Sequence, residues 1–197
     1  MSAPPLDSLL HEIAACRVCA ASLPHAPRPV VAAGAGARLL IVGQAPGRRV
    51  HETGIPWNDK SGEELRAWLG ISSAQFYDAS RVAIVPMGFC YPGKGASGDL
   101  PPRRECAPLW HPRLLAALPE VRLTLLIGRY AQAWYLKKNC KPTLTETVAA
   151  YAEYLPRYLP LPHPSPRNRY WLTRNPWFVA ELLPLLRQTV AAALAEP

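Results

Sequence analysis

The residues best suited to chemistry fall into three groups. The first is centred on His163, which stands between two prolines in the run Pro162-His-Pro-Ser-Pro-Arg-Asn168. Proline fixes one backbone dihedral, so this loop is stiff, and a stiff loop is a good mount for a group that must meet developing charge at a fixed place. Arg167, Asn168 and Arg169 follow at once, with Tyr170 and Trp171 behind them. Cations beside aromatic rings suit an edge that grips a nucleic-acid backbone and wedges into a duplex. The second group is the loop Gly43-Gln-Ala-Pro-Gly47. Its small residues let a ligand approach the main chain and meet its N–H groups, and Pro46 presets the turn. On these five residues alone an ordinary strand-to-loop turn is the better reading. The third group is the cysteines. Cys16 and Cys19 form a Cys-x-x-Cys pair, and Cys90 and Cys106 follow far along the chain. In a cytoplasmic chain this pattern points to a metal site rather than disulfides. Spacing leaves four-thiolate zinc and a [4Fe–4S] cluster both open. Cys140 stands apart as an ordinary thiol.

Composition narrows the field. A chain of 197 residues with 49% hydrophobic and 18% charged residues is globular and long enough for a core, most simply as one domain spanning 1–197. No apolar run reaches the length of a membrane span. Asp7, His11 and Glu12 occupy the region where a secretory signal would be basic and then apolar. A cytoplasmic, nucleoid-associated monomer is expected. A net charge of +8 suggests a polyanionic partner, and nucleic acid fits better than a membrane because no basic amphipathic helix stands out. The loop at 43–47 lacks the three-glycine dinucleotide fingerprint, and no Gly-Lys-Ser/Thr phosphate loop exists, which disfavours a nucleotide cofactor.

The elements that must position these groups follow from hydrophobic pattern. Leu39–Val42, Arg81–Val85, Leu123–Ile127 and Tyr158–Leu161 read as short buried strands. Helices are expected over Leu6–Ala15, Gly62–Leu69, Ala107–Leu118, Tyr130–Leu136, Thr143–Tyr151 and Trp177–Leu194, the first capped near Asp7 or Ser8. Strands alternating with helices predict a three-layer α/β/α sandwich around a mostly parallel four-stranded sheet. Ligands bind such sheets at the carboxyl ends of the strands, so Gln44, Pro86, Arg129 and His163 are expected to surround one cleft.

Taken together, Gly43-Gln-Ala-Pro-Gly47, Thr53-Gly-Ile-Pro-Trp57, Ser61-Gly62 and His163-Pro-Ser-Pro-Arg-Asn168 resemble the uracil-DNA glycosylase superfamily. The first half is similar to its iron–sulfur bacterial and archaeal branch, and the His-Pro-Ser-Pro-Arg-Asn stretch to its single-strand-selective monofunctional branch. The resemblance runs from Cys16 to about Trp177. It implies a [4Fe–4S] cluster on Cys16, Cys19, Cys90 and Cys106, bracing the N-terminal segment against the DNA-facing loop. It implies a base flipped out of DNA and excised by hydrolysis, at an unstacking cost of a few kcal/mol. Trp57 would stack on that base, and Gly43, Gln44 and Ala45 would hold its edge. His163 would stabilise the leaving anion, while Ser165, Arg167, Asn168 and Arg169 would hold the strand.

The sequence departs from that pattern in ways that bear on mechanism. Gln44 stands where the iron–sulfur branch usually has Glu, and Ala45 where the best-known branch has a water-activating Asp. The nearest replacements are His51 and Glu52, then Asp59. Pro86 stands where a uracil-reading Asn is common, and Asn58 is an alternative reader. Two readings follow: a glycosylase for uracil or another deaminated base, and a non-catalytic iron–sulfur module that recognises damaged or single-stranded DNA. A third, covalent capture of the abasic sugar by a histidine, lacks the basic loop it needs.

Overall fold

The computed structural model describes residues 5–96 and 98–196. Four strands form one parallel sheet in the order β2-β1-β5-β6: β1 is Leu39–Val42, β2 Val82–Ile84, β5 Leu123–Ile127 and β6 Tyr158–Leu161. A two-residue antiparallel hairpin, β3 (Lys94–Gly95) with β4 (Gly98–Asp99), stands apart from it. Side chains alternate across a strand, so β1 divides its four buried residues between the two faces. Leu39 and Ile41 join a core with Leu65 and Trp68 of α3 (Lys60–Leu69) and Leu186 and Val190 of α9 (Leu183–Leu194). Leu40 and Val42 pack on the other face against Leu9 and Ile13 of α1 (Leu6–Ala14), Trp110 and Leu114 of α5 (Cys106–Ala116), and Ala131 of α6 (Arg129–Leu136). The result is the expected three-layer sandwich, its sheet wholly parallel. Leu39, Leu40, Ile41 and Val42 are fully buried, and each such side chain stabilises the fold by about 1.5–3 kcal/mol.

Three strands begin and end as their apolar runs predict, and the Arg81–Val85 run shortens by one residue at each end. The Thr143–Tyr151 expectation narrows to α7 (Leu144–Ala149), because Thr143 and Glu146 form a capping box that fixes where the helix starts. Pro5 rather than Asp7 or Ser8 precedes α1, and no side chain caps that end. The C-terminal pattern resolves into a π-helical turn, Phe178–Leu182, followed by α9. Three short helices escaped the pattern: α2 (Arg48–Thr53), α4 (Ser73–Tyr77) and α8 (Arg169–Arg174). Each spans at most six residues, too few to show a helical period. Among the described residues, no single helix is long and apolar enough to cross a membrane.

Candidate active site

The loops at the carboxyl edge of the sheet enclose a cleft of about 460 Å³. Its walls include Gly43–Gly47 after β1, Pro86 after β2, His163 and Ser165 after β6, and the 56–61 segment carrying Trp57 and Asp59. Hydrogen bonds lock the first two loops together, Met87 N–H donating to the Gly43 carbonyl at 2.9 Å and Gly88 N–H to that of Gln44 at 3.0 Å.

Trp57 and His163 face each other in this cleft, their rings 5.6 Å apart between centroids and tilted by 32°. The tryptophan lies across the end of β1, where a Cβ on Gly43 would come within 2.9 Å of its ring. Its backbone is held at φ 54, a conformation that costs a bulky residue about 1–3 kcal/mol and persists only when its surroundings enforce it. Here they do. The Trp57 carbonyl accepts from Arg66 Nη1 at 3.3 Å and from the Tyr77 hydroxyl at 3.4 Å. Beneath it α3 starts so close that any Cβ on Gly62 would run into that carbonyl oxygen. Asp59 caps the same helix, accepting from Gly62 N–H at 2.9 Å.

His163 is presented by a loop tied back on itself. Asn168 Nδ2 donates to the His163 carbonyl at 2.7 Å, Asn168 N–H donates to the Ser165 carbonyl at 2.8 Å, and Ser165 Oγ caps the Pro166–Asn168 turn. Burial pushes the His163 imidazole below its usual pKa, while the Asp59 charge pulls the other way. The ring is therefore neutral at pH 7 and offers one N–H. Beyond the loop, α8 exposes Arg169, Tyr170 and Arg174, with the Arg174 guanidinium 4.8 Å above the Tyr170 ring.

The structure brings Gly43, Gln44, Ala45, Trp57, His163, Ser165 and Arg167 to one cleft. It does not bring His51, Glu52 or Asn58 there. His51 packs against His25 and Tyr91 at centroid distances of 5.4 and 5.9 Å, and its buried Nδ1 finds no hydrogen-bond partner among the described residues. Glu52 is exposed, and its carbonyl shares Arg28 Nη1 with that of His51. Arg129, expected at the cleft, turns outward to the Cys140 sulfur and the Lys141 carbonyl, because it lies in the first turn of α6 rather than in the preceding loop.

The four spaced cysteines converge elsewhere. Cys16, Cys19, Cys90 and Cys106 all line one small cavity between the end of α1, the segment after β2 and the start of α5. Phe89 N–H donates to the Cys106 sulfur at 3.3 Å. Burial pushes the thiol pKa of Cys90 up to about 11 and that of Cys106 up to about 12, each raised further by the neighbouring cysteines. Among the described residues no three His, Cys, Asp or Glu side chains converge tightly enough to ligate a single ion. A cluster of four irons spreads its thiolates wider than one ion does, and four cysteines facing one cavity fit that donor set.

The family model of the Uracil DNA glycosylase superfamily matches residues 31–187. The chain belongs to that superfamily. Among solved structures it is similar to a solution NMR structure from Methanosarcina acetivorans, described as a "putative Uracil DNA glycosylase". That likeness has 15% identity and a TM-score of 0.44, covering 81% of this chain and 94% of the other. Superfamily membership supports a glycosylase-type function, and the sheet with its flanking helices is the arrangement expected for it.

Two residues of this glycosylase-family site lay beyond the sequence reading. Asp99, in the hairpin, lines the cleft beside Asp59. His111 lies buried beneath the cleft wall, with Nε2 3.0 Å from the Pro86 carbonyl and Nδ1 2.8 Å from the Tyr135 hydroxyl. That pairing makes Nε2 the donor to the carbonyl and Nδ1 the acceptor from the hydroxyl, a neutral ring that fixes the turn after β2. Desolvation lowers its pKa to about 4. A histidine at apolar helical spacing gives no sign in sequence of its partner 25 residues away.

Proposed function

We propose that the protein is a monofunctional DNA glycosylase that flips out and excises uracil or another deaminated base. One observation carries this reading: the Trp57 ring and the neutral imidazole of His163 face each other across a cleft floored by the Gly43–Gly47 loop. An aromatic face beside a fixed N–H donor suits a planar base that leaves as an anion. Stacking binds the ring, and the donor meets charge as the C1′–N bond breaks. A neutral donor avoids the cost of burying a cation before that charge exists. Arg169, Tyr170 and Arg174 form an exposed edge beside the His163 loop, suited to phosphates and to the gap left by the base. Of the residues expected to hold the strand, Asn168 supports that role indirectly, since its amide is bonded to the His163 carbonyl.

The cavity lined by Cys16, Cys19, Cys90 and Cys106 is proposed to hold a [4Fe–4S] cluster, with structural zinc as the alternative. Bound there, the cluster would act as a brace, tying the N-terminal segment to the stretch that carries the hairpin. Iron and acid-labile sulfide in the purified protein would support it; zinc without sulfide would replace it.

The test of the activity is alkali-revealed strand cleavage of labelled oligonucleotides carrying uracil, hypoxanthine, xanthine or a thymine mismatch, in single and double strands. Cleavage of one of them is expected, falling in His163→Ala by about 10²–10³-fold, the usual cost of one transition-state donor. Undiminished cleavage in the variant would remove His163 from the mechanism. Tight, salt-sensitive binding without any cleavage would favour the alternative, a non-catalytic recognition module, which the lack of a carboxylate in the Gly43–Gly47 loop favours.

A further inference from the structure

We propose that Asp99 is the general base of the excision reaction, supplying from the hairpin the carboxylate that the loop after β1 lacks. The inference rests on the glycosylase reading above. The Gly43–Gly47 loop carries only an amide, a methyl and a proline ring as side chains. The two replacements nearest in sequence, His51 and Glu52, do not line the cleft.

The hairpin is seated against that loop. Gln44 Nε2 donates to the Leu100 carbonyl at 3.3 Å, one residue from Asp99. Asp99 Oδ2 is so placed that a Cβ on Gly47 would lie 3.4 Å from it. On the far side, Arg167 of the His163 loop approaches the hairpin backbone, its Nη1 2.9 Å from where a Gly98 Cβ would be. Gln44, which takes the place of a charged residue in the loop, thus tethers the segment that brings a charge in. A side chain at Gly47 would stand in ordinary contact with the Asp99 carboxylate, while Gly98 holds a φ of 148 that favours glycine.

Two carboxylates line the cleft, and their surroundings assign them different work. Asp59 is occupied as the cap of α3, accepting from Gly62 N–H. Asp99 is an exposed residue of the hairpin whose carboxyl is only partly covered by the loop, so that water can reach it, as it must reach a base for hydrolysis. Burial of its carboxyl against the loop and the nearby Asp59 charge raise its proton affinity, while Arg167, Lys94 and Arg48 oppose the rise. In the reaction the base departs with the electron pair of the C1′–N bond, meeting His163. The oxygen of a water molecule bonds to C1′, its proton passes to the Asp99 carboxylate and then to solvent, and the base anion is protonated in turn.

The experiment is single-turnover excision on the substrate the wild type cleaves, comparing Asp99→Asn, Asp99→Glu and Asp59→Asn. Binding of each to DNA containing a stable abasic analogue is measured alongside. Asp99→Asn is isosteric and exposed, so folding should survive. It is expected to lose about 10²–10⁴-fold in rate, to bind the abasic analogue as the wild type does, and to lose the acidic limb of the pH–rate profile. Asp99→Glu should recover part of the rate and the limb. Wild-type rate in Asp99→Asn, or an acidic limb that survives there and vanishes in Asp59→Asn, would overturn the role of Asp99 while leaving the glycosylase reading intact. A wild type that produces no abasic sites on any substrate would overturn both.

Discussion

The stretch from Pro86 to Cys106 serves two cavities that could hardly differ more. Pro86 and Asp99 line the open cleft of about 460 Å³, whereas Cys90 and Cys106 line a cavity of about 20 Å³. In the cleft, charged groups have water or opposite charges at hand, and Asp99 has Arg167, Lys94 and Arg48 within electrostatic reach. In the small cavity the thiols are desolvated and raise one another, reaching about 11 at Cys90 and about 12 at Cys106. Four thiolates cannot coexist there without a cation among them. One cavity is an open cleft whose walls mix apolar and charged side chains; the other gathers four thiols in a small space. On the proposed reading, one connection is braced by its cysteines and functional at the hairpin between them.

The sharpest way to break this division is Cys106→Ser. If the cavity holds the proposed cluster, losing one ligand should empty it, because occupancy of such a site is coupled to folding. The expected result is loss of bound iron and of more than about 4 kcal/mol of stability, read as a fall in Tm of about 8–16 °C for a domain of this size. Cys140→Ser, outside the cavity, should change neither. If Cys106→Ser keeps its iron or melts with the wild type, the cavity is an ordinary core of thiols.

His111 tests the other end of the stretch. Its pKa is about 4 in the folded protein against an ordinary 6.5, because burial disfavours the charged ring. Between those values the unfolded chain binds the extra proton, so stability rises with pH there. The contribution is fully present above about pH 6.5 and is lost as pH falls toward 4, amounting to about 3 kcal/mol at most. Chemical denaturation at pH 7.5 and 4.5 should show the loss in the wild type, and His111→Gln should lack that share of it. Equal pH sensitivity in the two proteins would mean that the ring is not held neutral beneath Pro86.

Gly62→Ala probes the cleft alone. A methyl at that position meets the Trp57 carbonyl, and backbone cannot yield as a flexible side chain does, so a cost of about 1–3 kcal/mol is expected despite the better helix propensity of Ala. Excision should suffer beyond the stability loss, because the displaced carbonyl belongs to Trp57, the residue proposed to stack on the base. A stable variant with full activity would show that the strained Trp57 backbone is incidental.

These tests fall on parts of the molecule that were unequally legible in the sequence. The sheet could be read because each strand is a short unbroken apolar run, buried on both faces and stopped by glycine or proline, as Leu39–Val42 before Gly43 shows. The Trp57–His163 pair followed from the ordered motifs, and the four cysteines from their spacing. The replacement carboxylate did not follow, because nearness along the chain was a poor guide. His51 and Glu52 sit on a two-turn helix that keeps them out of the cleft lining, whereas Asp99 arrives from a distant segment through a hairpin too short to leave a pattern. Arg129 was misplaced because it opens α6 and bonds the Cys140 sulfur and the Lys141 carbonyl instead of lining the cleft.

The smallest effect is expected at the rim. Arg169 begins α8, exposed and just beyond the His163 loop. If it meets a phosphate, Arg169→Ala should weaken binding of all sequences alike and lower the slope of log affinity against log salt by about 1. The rate of excision from saturated complexes should stay unchanged, because the residue is not among those lining the cleft. A loss of excision rate at saturation would instead place Arg169 among the groups that hold the flipped nucleotide. It would extend the working site from the cleft onto α8, and the boundary between gripping the strand and cutting the base would then lie beyond Asn168 rather than at it.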